Sequence, residues 1–403
     1  MGTSSKDIMA AIRAPALAAP VVLHRPEHPV YRSEAIAFQG VPTIEATTRG
    51  RLWASWYGGG VGEGPENFIL LVRSDDAGET WSEVQLVIDP PGAVRAFDPL
   101  LWRDPSGWLW LFWAQAHTLH DGAWGVWAMH TNDPDGEHPI WSEPRRLADG
   151  ILLNKPLVTR RGEWLFPISR PRSYVLRIEL KSLPEHQQVG FLHLARPEEL
   201  AALNEASGGW VYCSRDGGQT LECLGRARVD DAFASHYEHM LAENPDGTLW
   251  MFLRALYGMG RSESHDGGHS WSPVERTSWA HPASRFFLGR LASGRLLMVK
   301  HGDLSGRVPE ETGPLRHELT AFLSDDHGAS WRGGLLLDER LCSYPDAAQT
   351  PDGSICVIYD RGRTEEKEIL LARFTEDDVL TGELRSPHTA TRIPINKATG
   401  TPP

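Results

Sequence analysis

Short apolar strands recur along the chain, each opened by a glycine turn. They read RGRLWASW at Gly50, SGWLWLFW at Gly107, RGEWLFP at Gly162, DGTLWMFLR at Gly247, SGRLLMVK at Gly294 and DGSICVIYD at Gly353. The strands are rich in Val, Leu, Ile and Trp and bounded by Gly, Pro, Asp and Ser, the pattern of strands joined by tight turns. The glycines lie 57, 55, 85, 47 and 59 residues apart. Helical periodicity is almost absent; ARPEELAALNEA at 195–206, inside the longest interval, is the one candidate.

A second element repeats between them: SDDAGETW from Ser74, SRDGGQTL from Ser214, SHDGGHSW from Ser264 and SDDHGASW from Ser324. Its form is Ser-x-Asp-x-Gly-x-Thr/Ser-Trp, with Leu221 replacing the tryptophan once and a stretched copy at 131–141. The Asp accepts from nearby backbone N–H groups as in an Asx-turn, and the Gly suits a positive φ. A four-stranded sheet repeated every roughly 40–60 residues is a propeller blade. The expected fold is therefore all-β: a six-bladed β-propeller of four-stranded antiparallel blades. The glycine hairpin joins the two inner strands and the Ser-x-Asp turn the two outer ones. The long interval predicts a short helical or loop insert in blade three, at about residues 170–212. Residues 1–20 read as a disordered leader and 21–403 as a single domain.

Composition narrows the function. A net charge of −13 disfavours nucleic acid, which needs clustered Lys and Arg. No apolar run reaches the roughly 18 residues of a membrane span, and the N-terminus lacks the apolar core of a secretion signal. A cytoplasmic protein is expected. The four cysteines (Cys213, Cys223, Cys342 and Cys356) show no CxxC spacing, so no metal site is indicated and nothing requires a disulfide.

Counting nine residues back from each hairpin glycine gives one equivalent position per blade: Val41, Asp98, Leu153, Glu238, Arg285 and Tyr344. Leu153 is followed by Asn154 and Lys155. Four of these six positions are polar or ionisable, in strands that are otherwise apolar. Charges are rarely buried unless paired, so this ring points to a ligand site on the propeller axis; the bland reading is a solvated pore mouth with mutual ion pairs.

The Ser-x-Asp turns resemble the Asp-boxes, or bacterial neuraminidase repeats, of the sialidase superfamily, and the resemblance runs over nearly the whole chain after about residue 30. It implies a propeller with a pocket for an acidic sugar. Sialidases hold the substrate carboxylate with three arginines, attack with a Tyr–Glu pair and protonate the leaving group with an Asp. By that resemblance Tyr344 (SYPDAAQTPDGS) matches the nucleophile, Glu238 (YEHMLAENPDG) its partner, and Arg254 and Arg316 the second and third arginines. Asp360 (VIYDRGR) matches the acid that braces the first arginine. A phenol, with pKa about 10, is a poor nucleophile unless a carboxylate takes its proton, and arginine forks suit a carboxylate.

The chain departs from the pattern in two places. Gly40, in GVPTIEATTRGRLWASW, stands where the first arginine is expected, so the clamp has two arginines or recruits Arg285, Lys155 or Arg95. The loop before the first box, YGGGVGEGPENFILLVRS, offers Glu63 and Glu66 as proton donors and no Asp; counting back from the strand favours Glu63. Asp98 resembles an acid lining the sugar pocket. His117, His120 and Asp121 follow the inner hairpin of blade two, where His120 is a candidate substrate contact or a base for uronate elimination. Trp124 and Trp127 are candidate stacking platforms or blade filler, and Arg170 and Arg172 read as surface.

The function expected is hydrolysis of a terminal acidic sugar, sialic acid or a relative. No cofactor is called for, and the partner is an acidic carbohydrate. Two alternatives stand beside it: a uronate-specific polysaccharide lyase, and a non-catalytic carbohydrate-binding propeller.

Overall fold

The computed structural model describes residues 14–92, 94–117, 124–172, 197–305 and 316–401. Its strands form six antiparallel sheets, each built from one continuous run of chain. Blade one holds β2 (Gln39–Ala46), β3 (Leu52–Gly58), β4 (Phe68–Ser74) and β5 (Leu86–Asp89), with β1 (Val21–His24) added outside β5. Blade two holds β6 (Arg95–Arg103), β7 (Leu109–Ala116), β8 (Gly125–Thr131) and β9 (Arg145–Asp149). Blade three runs through β10 (Leu157–Val158), β11 (Trp164–Arg170), β12 (Gly208–Ser214) and β13 (Glu222–Ala227). Blade four comprises β14 (Tyr237–Glu243), β15 (Leu249–Ala255), β16 (Gly258–Ser264) and β17 (Glu275–Arg276). Blade five comprises β18 (Phe287–Arg290), β19 (Leu296–His301), β20 (Leu319–Ser324) and β21 (Arg332–Asp338). Blade six comprises β22 (Ser343–Gln349), β23 (Ile355–Arg361), β24 (Glu368–Phe374) and β25 (Ala390–Lys397). This is the six-bladed propeller that the repeat predicts.

The glycine turns sit where the sequence puts them. Gly50, Gly107, Gly162, Gly247, Gly294 and Gly353 each join the two innermost strands of a blade, with φ between +81° and +94°. The helix expected at 195–206 is present as Pro197–Glu205, between β11 and β12; residues 173–196 of the insert lie outside the described residues. So do residues 1–13 of the expected leader. Residues 14–20 are described, and Gln115 Nε2 donates to the carbonyls of Ala16 (3.0 Å) and Ala18 (2.8 Å). Among the described residues no helix is long and apolar enough to cross a membrane, and all four cysteines are free.

The Ser-x-Asp turns join third and fourth strands and weld neighbouring blades together. In the first, Asp76 accepts from Thr80 N (2.9 Å) and Thr80 Oγ1 (2.5 Å), while Ser74 Oγ accepts from Gly78 N (2.9 Å). The same bonds recur around Asp216, Asp266 and Asp326. Gly78 lies so close to blade six that a Cβ there would meet Leu371 at 2.5 Å. Arg373 of blade six donates to Ala77 O (2.6 Å), and Arg145 of blade two to Gln219 O (2.9 Å) in the next blade's turn. These turns lie on outer strands, away from the axis, and their chemistry is structural.

The axis itself is closed by a polar plug to which every blade contributes. Asp346 Oδ2 accepts from Thr43 Oγ1 (2.7 Å) and Ile44 N (3.0 Å), and Thr43 Oγ1 accepts from Leu101 N (2.9 Å). Arg285 Nε donates to Asn154 Oδ1 (2.8 Å), and Asn154 Nδ2 to His239 O (3.0 Å). Lys155 Nζ donates to Ile44 O (2.8 Å), Leu101 O (2.7 Å) and Glu45 Oε2 (2.9 Å). Arg285 and Lys155 both stand 3.5 Å from Asp346, which is fully buried. Removing one member of a buried, paired charge set leaves the others uncompensated. Asp346→Ala is therefore expected to cost about 3–5 kcal/mol, read as a lower midpoint in urea denaturation.

Candidate active site

Above the plug opens a cavity of about 200 Å³ lined by Val41, Tyr57, Glu63, Asp98, Leu153, His236, Glu238, Arg254, Arg316, Tyr344 and Arg363, among others. Five of the six register positions reach it. In blades one, two, four and six the innermost strand slips register where it passes the pocket, between Gly40 and Thr43, Phe97 and Leu100, Tyr237 and Met240, and Ser343 and Asp346. Each slip carries a non-glycine residue at positive φ: Val41 (+51°), Asp98 (+49°), Glu238 (+35°) and Tyr344 (+55°). Such bulges re-aim a side chain, and left-handed residues of this kind cost of order 1–3 kcal/mol each, a cost that clusters at functional sites. Arg285 is not among the positive-φ residues. Its side chain runs into the plug instead, so it is not a pocket residue.

Tyr344, Glu238 and Arg254 form one hydrogen-bonded cluster. Tyr344 donates its hydroxyl to Glu238 Oε1 (2.9 Å). Arg254 Nη1 donates to both Glu238 oxygens (2.9 Å each) and to the Tyr344 oxygen (3.0 Å). Register explains the contact: Arg254 on β15 pairs with Tyr237, next to Glu238. Burial pushes the Glu238 carboxyl up, but the charges of Arg254 and His236 and the hydrogen bonds from Arg254 and Tyr344 outweigh it and bring it down to about 2. Burial and the Glu238 charge push the Tyr344 phenol up to about 12, against the pull of Arg254, Arg363 and Arg316. At neutral pH the pair is thus a neutral phenol beside an ionised carboxylate.

The position of Gly40 is filled by an arginine that sequence reasoning missed. Arg363, three residues beyond Asp360 at the end of β23, lays its side chain against Gly40. A Cβ on Gly40 would stand 2.7 Å from Arg363 Nε, 2.8 Å from Cδ and 2.9 Å from Cγ. Arg363 Nε donates to Asp360 Oδ2 (2.9 Å) and Nη1 to Glu63 Oε1 (3.1 Å), and the guanidinium lies 4.4 Å from the centre of the Tyr344 ring. Asp360 is buried and also accepts from Val41 N (2.8 Å) and Ser343 Oγ (2.7 Å), so the acid matched to a bracing role braces Arg363. Arg316 also lines the cavity, 5.5 Å from the centre of the same ring, and its guanidinium has no hydrogen-bond or ion-pair partner among the described residues. Arg254 Nε and Arg363 Nη2 are buried donors likewise without a partner there. Buried donors of this kind call for an acceptor.

The remaining expected residues divide. Glu63 lines the pocket, with its side chain 36% exposed. It accepts from Tyr57 OH (3.0 Å) and Arg363, and the charges of Arg95 and Arg363 hold its carboxyl down against burial. Asn67 fixes this loop: it accepts from Gly64 N (2.8 Å) and donates to Gly59 O (2.7 Å) and Gly62 O (2.9 Å). That fold of the loop sends Glu66 into a separate cleft with Tyr31 and Phe68, not into the pocket. Lys155 serves the plug and opens on a different cleft beside Leu157 and Arg290. Arg95 is buried with its guanidinium over the rings of Phe97 (4.3 Å) and Tyr57 (5.5 Å). Trp124 and Trp127 are core residues. Arg170 donates to Tyr212 OH (2.6 Å), and Arg172 pairs with Asp231. His120 and Asp121 lie outside the described residues. Tyr57 and His236 join the pocket without having been read from the sequence. Among the described residues no cluster of His, Cys, Asp and Glu could hold a metal ion.

Known proteins place this geometry in context. A family model, the BNR repeat-like domain, matches residues 50–357. Comparison with curated proteins finds no match. Among solved structures, a protein of unknown function from Dyadobacter fermentans is 16% identical with a TM-score of 0.59, over 85% of this chain and 96% of that one. The intramolecular trans-sialidase from Ruminococcus gnavus is 13% identical with a TM-score of 0.60, over 85% and 96%. NanB sialidase from Streptococcus pneumoniae is 12% identical with a TM-score of 0.59, over 86% and 68%. At such identities the likeness is one of fold, a sialidase-like propeller. The chain belongs to the family of BNR repeat-like domains.

Proposed function

We propose that this protein is a glycoside hydrolase that removes a terminal acidic sugar, sialic acid or a related one. The observation that carries this reading is the Tyr344–Glu238–Arg254 cluster facing two further arginines, Arg316 and Arg363, across one cavity. Three guanidinium groups in one small pocket suit a carboxylate, which arginine binds through paired N–H donors. Tyr344 attacks the anomeric carbon while its proton passes to Glu238, already 2.9 Å away and ionised. A neutral nucleophile avoids repulsion from an anionic sugar, and tyrosine is an accepted exception to the two-carboxylate scheme. A carboxylic acid on the pocket wall protonates the departing oxygen, and Glu63 and Asp98 both line that wall. Two successive displacements at one carbon retain its configuration. About 200 Å³ is below the roughly 300–1,000 Å³ of drug-sized sites, which favours a single terminal unit over a long chain.

The test is a panel of sialosides and uronides followed for reducing sugar and for ultraviolet absorbance. Hydrolysis with retention supports the reading. An unsaturated product would assign the pocket to elimination, and binding without turnover would make it a lectin-like site.

A further inference from the structure

We propose that Asp98, rather than Glu63, delivers the proton to the departing oxygen. The inference rests on the hydrolase reading above and names the acid that reaction needs.

Three observations lead to it. Asp98 occupies the same register position as Glu238 and Tyr344, on an equivalent bulge, and lines the same cavity. The two other carboxylates of the cavity wall are committed: Glu238 to Arg254 and Tyr344, Glu63 to Arg363 and Tyr57. The Asp98 carboxyl has no hydrogen-bond or ion-pair partner among the described residues, so nothing there holds it ionised by direct contact. A general acid must arrive protonated and be free to reach the substrate oxygen. Glu63 fails the first requirement because Arg95 and Arg363 keep it charged.

The groups facing Asp98 are Glu63 and Tyr57 from blade one, Arg95 on its own strand, Glu238 from blade four and Arg363 from blade six. Burial and the negative charges of Glu63 and Glu238 push it up to about 7, with Arg95 and Arg363 opposing. At neutral pH a large fraction of Asp98 therefore carries its proton.

The Tyr344 oxygen bonds to the anomeric carbon, and its proton passes to Glu238. The glycosidic C–O bond breaks, its electron pair stays on the departing oxygen, and that oxygen takes the Asp98 proton. In the second half the Asp98 carboxylate takes a proton from water as the water oxygen bonds to the carbon. Tyr344 leaves and recovers its proton from Glu238.

The experiment compares Asp98→Asn with Glu63→Gln on two glycosides of one acidic sugar, an alkyl glycoside and a 4-methylumbelliferyl glycoside. Asp98→Asn should cut kcat on the alkyl glycoside by about 10²–10⁴-fold, the usual share of general-acid catalysis. In kcat/KM, which reports the first half alone, the aryl glycoside, whose leaving group needs little protonation, should lose far less than the alkyl one; its kcat falls as well, because the second half also uses Asp98. Wild-type kcat should fall as pH rises through about 7, and this limb should vanish in Asp98→Asn. Glu63→Gln should lack the leaving-group dependence. If Glu63→Gln shows that signature and Asp98→Asn does not, this assignment is overturned while the hydrolase reading stands. An inert wild type across the panel overturns both. Infrared carboxyl bands of folded wild type, with Asp98→Asn as reference, give a check free of turnover: an Asp98 that ionises in the ordinary carboxylate range contradicts the proposal.

Discussion

Tyr344→Phe is expected to lower kcat by at least about 10³-fold, the scale on which removal of a covalent nucleophile acts, with the fold retained. The hydroxyl takes part in two hydrogen bonds, to Glu238 and Arg254, and those partners keep each other when it is gone. Its loss should cost about 1–2 kcal/mol in denaturant unfolding. Glu238→Gln should also abolish turnover, but it is the poorer test. It leaves the Arg254 guanidinium buried without its counter-charge, a loss of about 3–5 kcal/mol, and so mixes chemistry with folding. If the Phe variant turns over an acidic glycoside at the wild-type rate, Tyr344 is not the nucleophile.

The second large effect is expected from a single methyl group. Gly40→Ala places a Cβ within 3 Å of three Arg363 side-chain atoms, Cγ, Cδ and Nε. Gly40 has no need of a positive φ, so the strand itself tolerates alanine and the arginine must move. Displacing one charged, paired contact to a substrate carboxylate costs about 2–4 kcal/mol, which is a rise in KM of about 10²-fold. Arg363→Ala should raise KM by a similar factor and lower stability as well, since Asp360 is buried and loses its cation. The double variant should show little further loss in KM, because both changes remove the same contact. Additive effects, or an unchanged KM in Gly40→Ala, would show that Arg363 does not hold the substrate.

How much of this was legible in the sequence follows from the range of the interactions. The glycine hairpins and Ser-x-Asp turns are local, closed within a few residues by their own hydrogen bonds, and they gave the blade count and strand order. Counting back from the hairpins found Asp98, Glu238 and Tyr344, because strand geometry fixes register over nine residues. The same count misplaced Arg285. It gives a position along the strand and not a side chain's direction, and the Arg285 guanidinium is held in the plug by Asn154 and Asp346, contacts from other blades. Lys155 was misjudged because the plug around Asp346 is made of contacts between distant segments; Glu66 was misjudged because the short-range staple at Asn67 folds an irregular loop, whose course strand register does not set. Arg363 was invisible because its place depends on ring closure. Only when blade six meets blade one does the RGR turn after β23 lie over Gly40. A glycine where an arginine was expected reads as a loss in one dimension; in three it is room for an arginine from the other end of the chain.

The most direct measurement is covalent trapping. A fluorinated, activated analogue of the best acidic glycoside in the panel slows breakdown of a glycosyl–enzyme intermediate and lets it accumulate. Intact-mass and peptide spectra of the treated protein should show one added sugar, located on Tyr344, and none in Tyr344→Phe. A label on another residue, or full turnover with no label at all, would contradict the account.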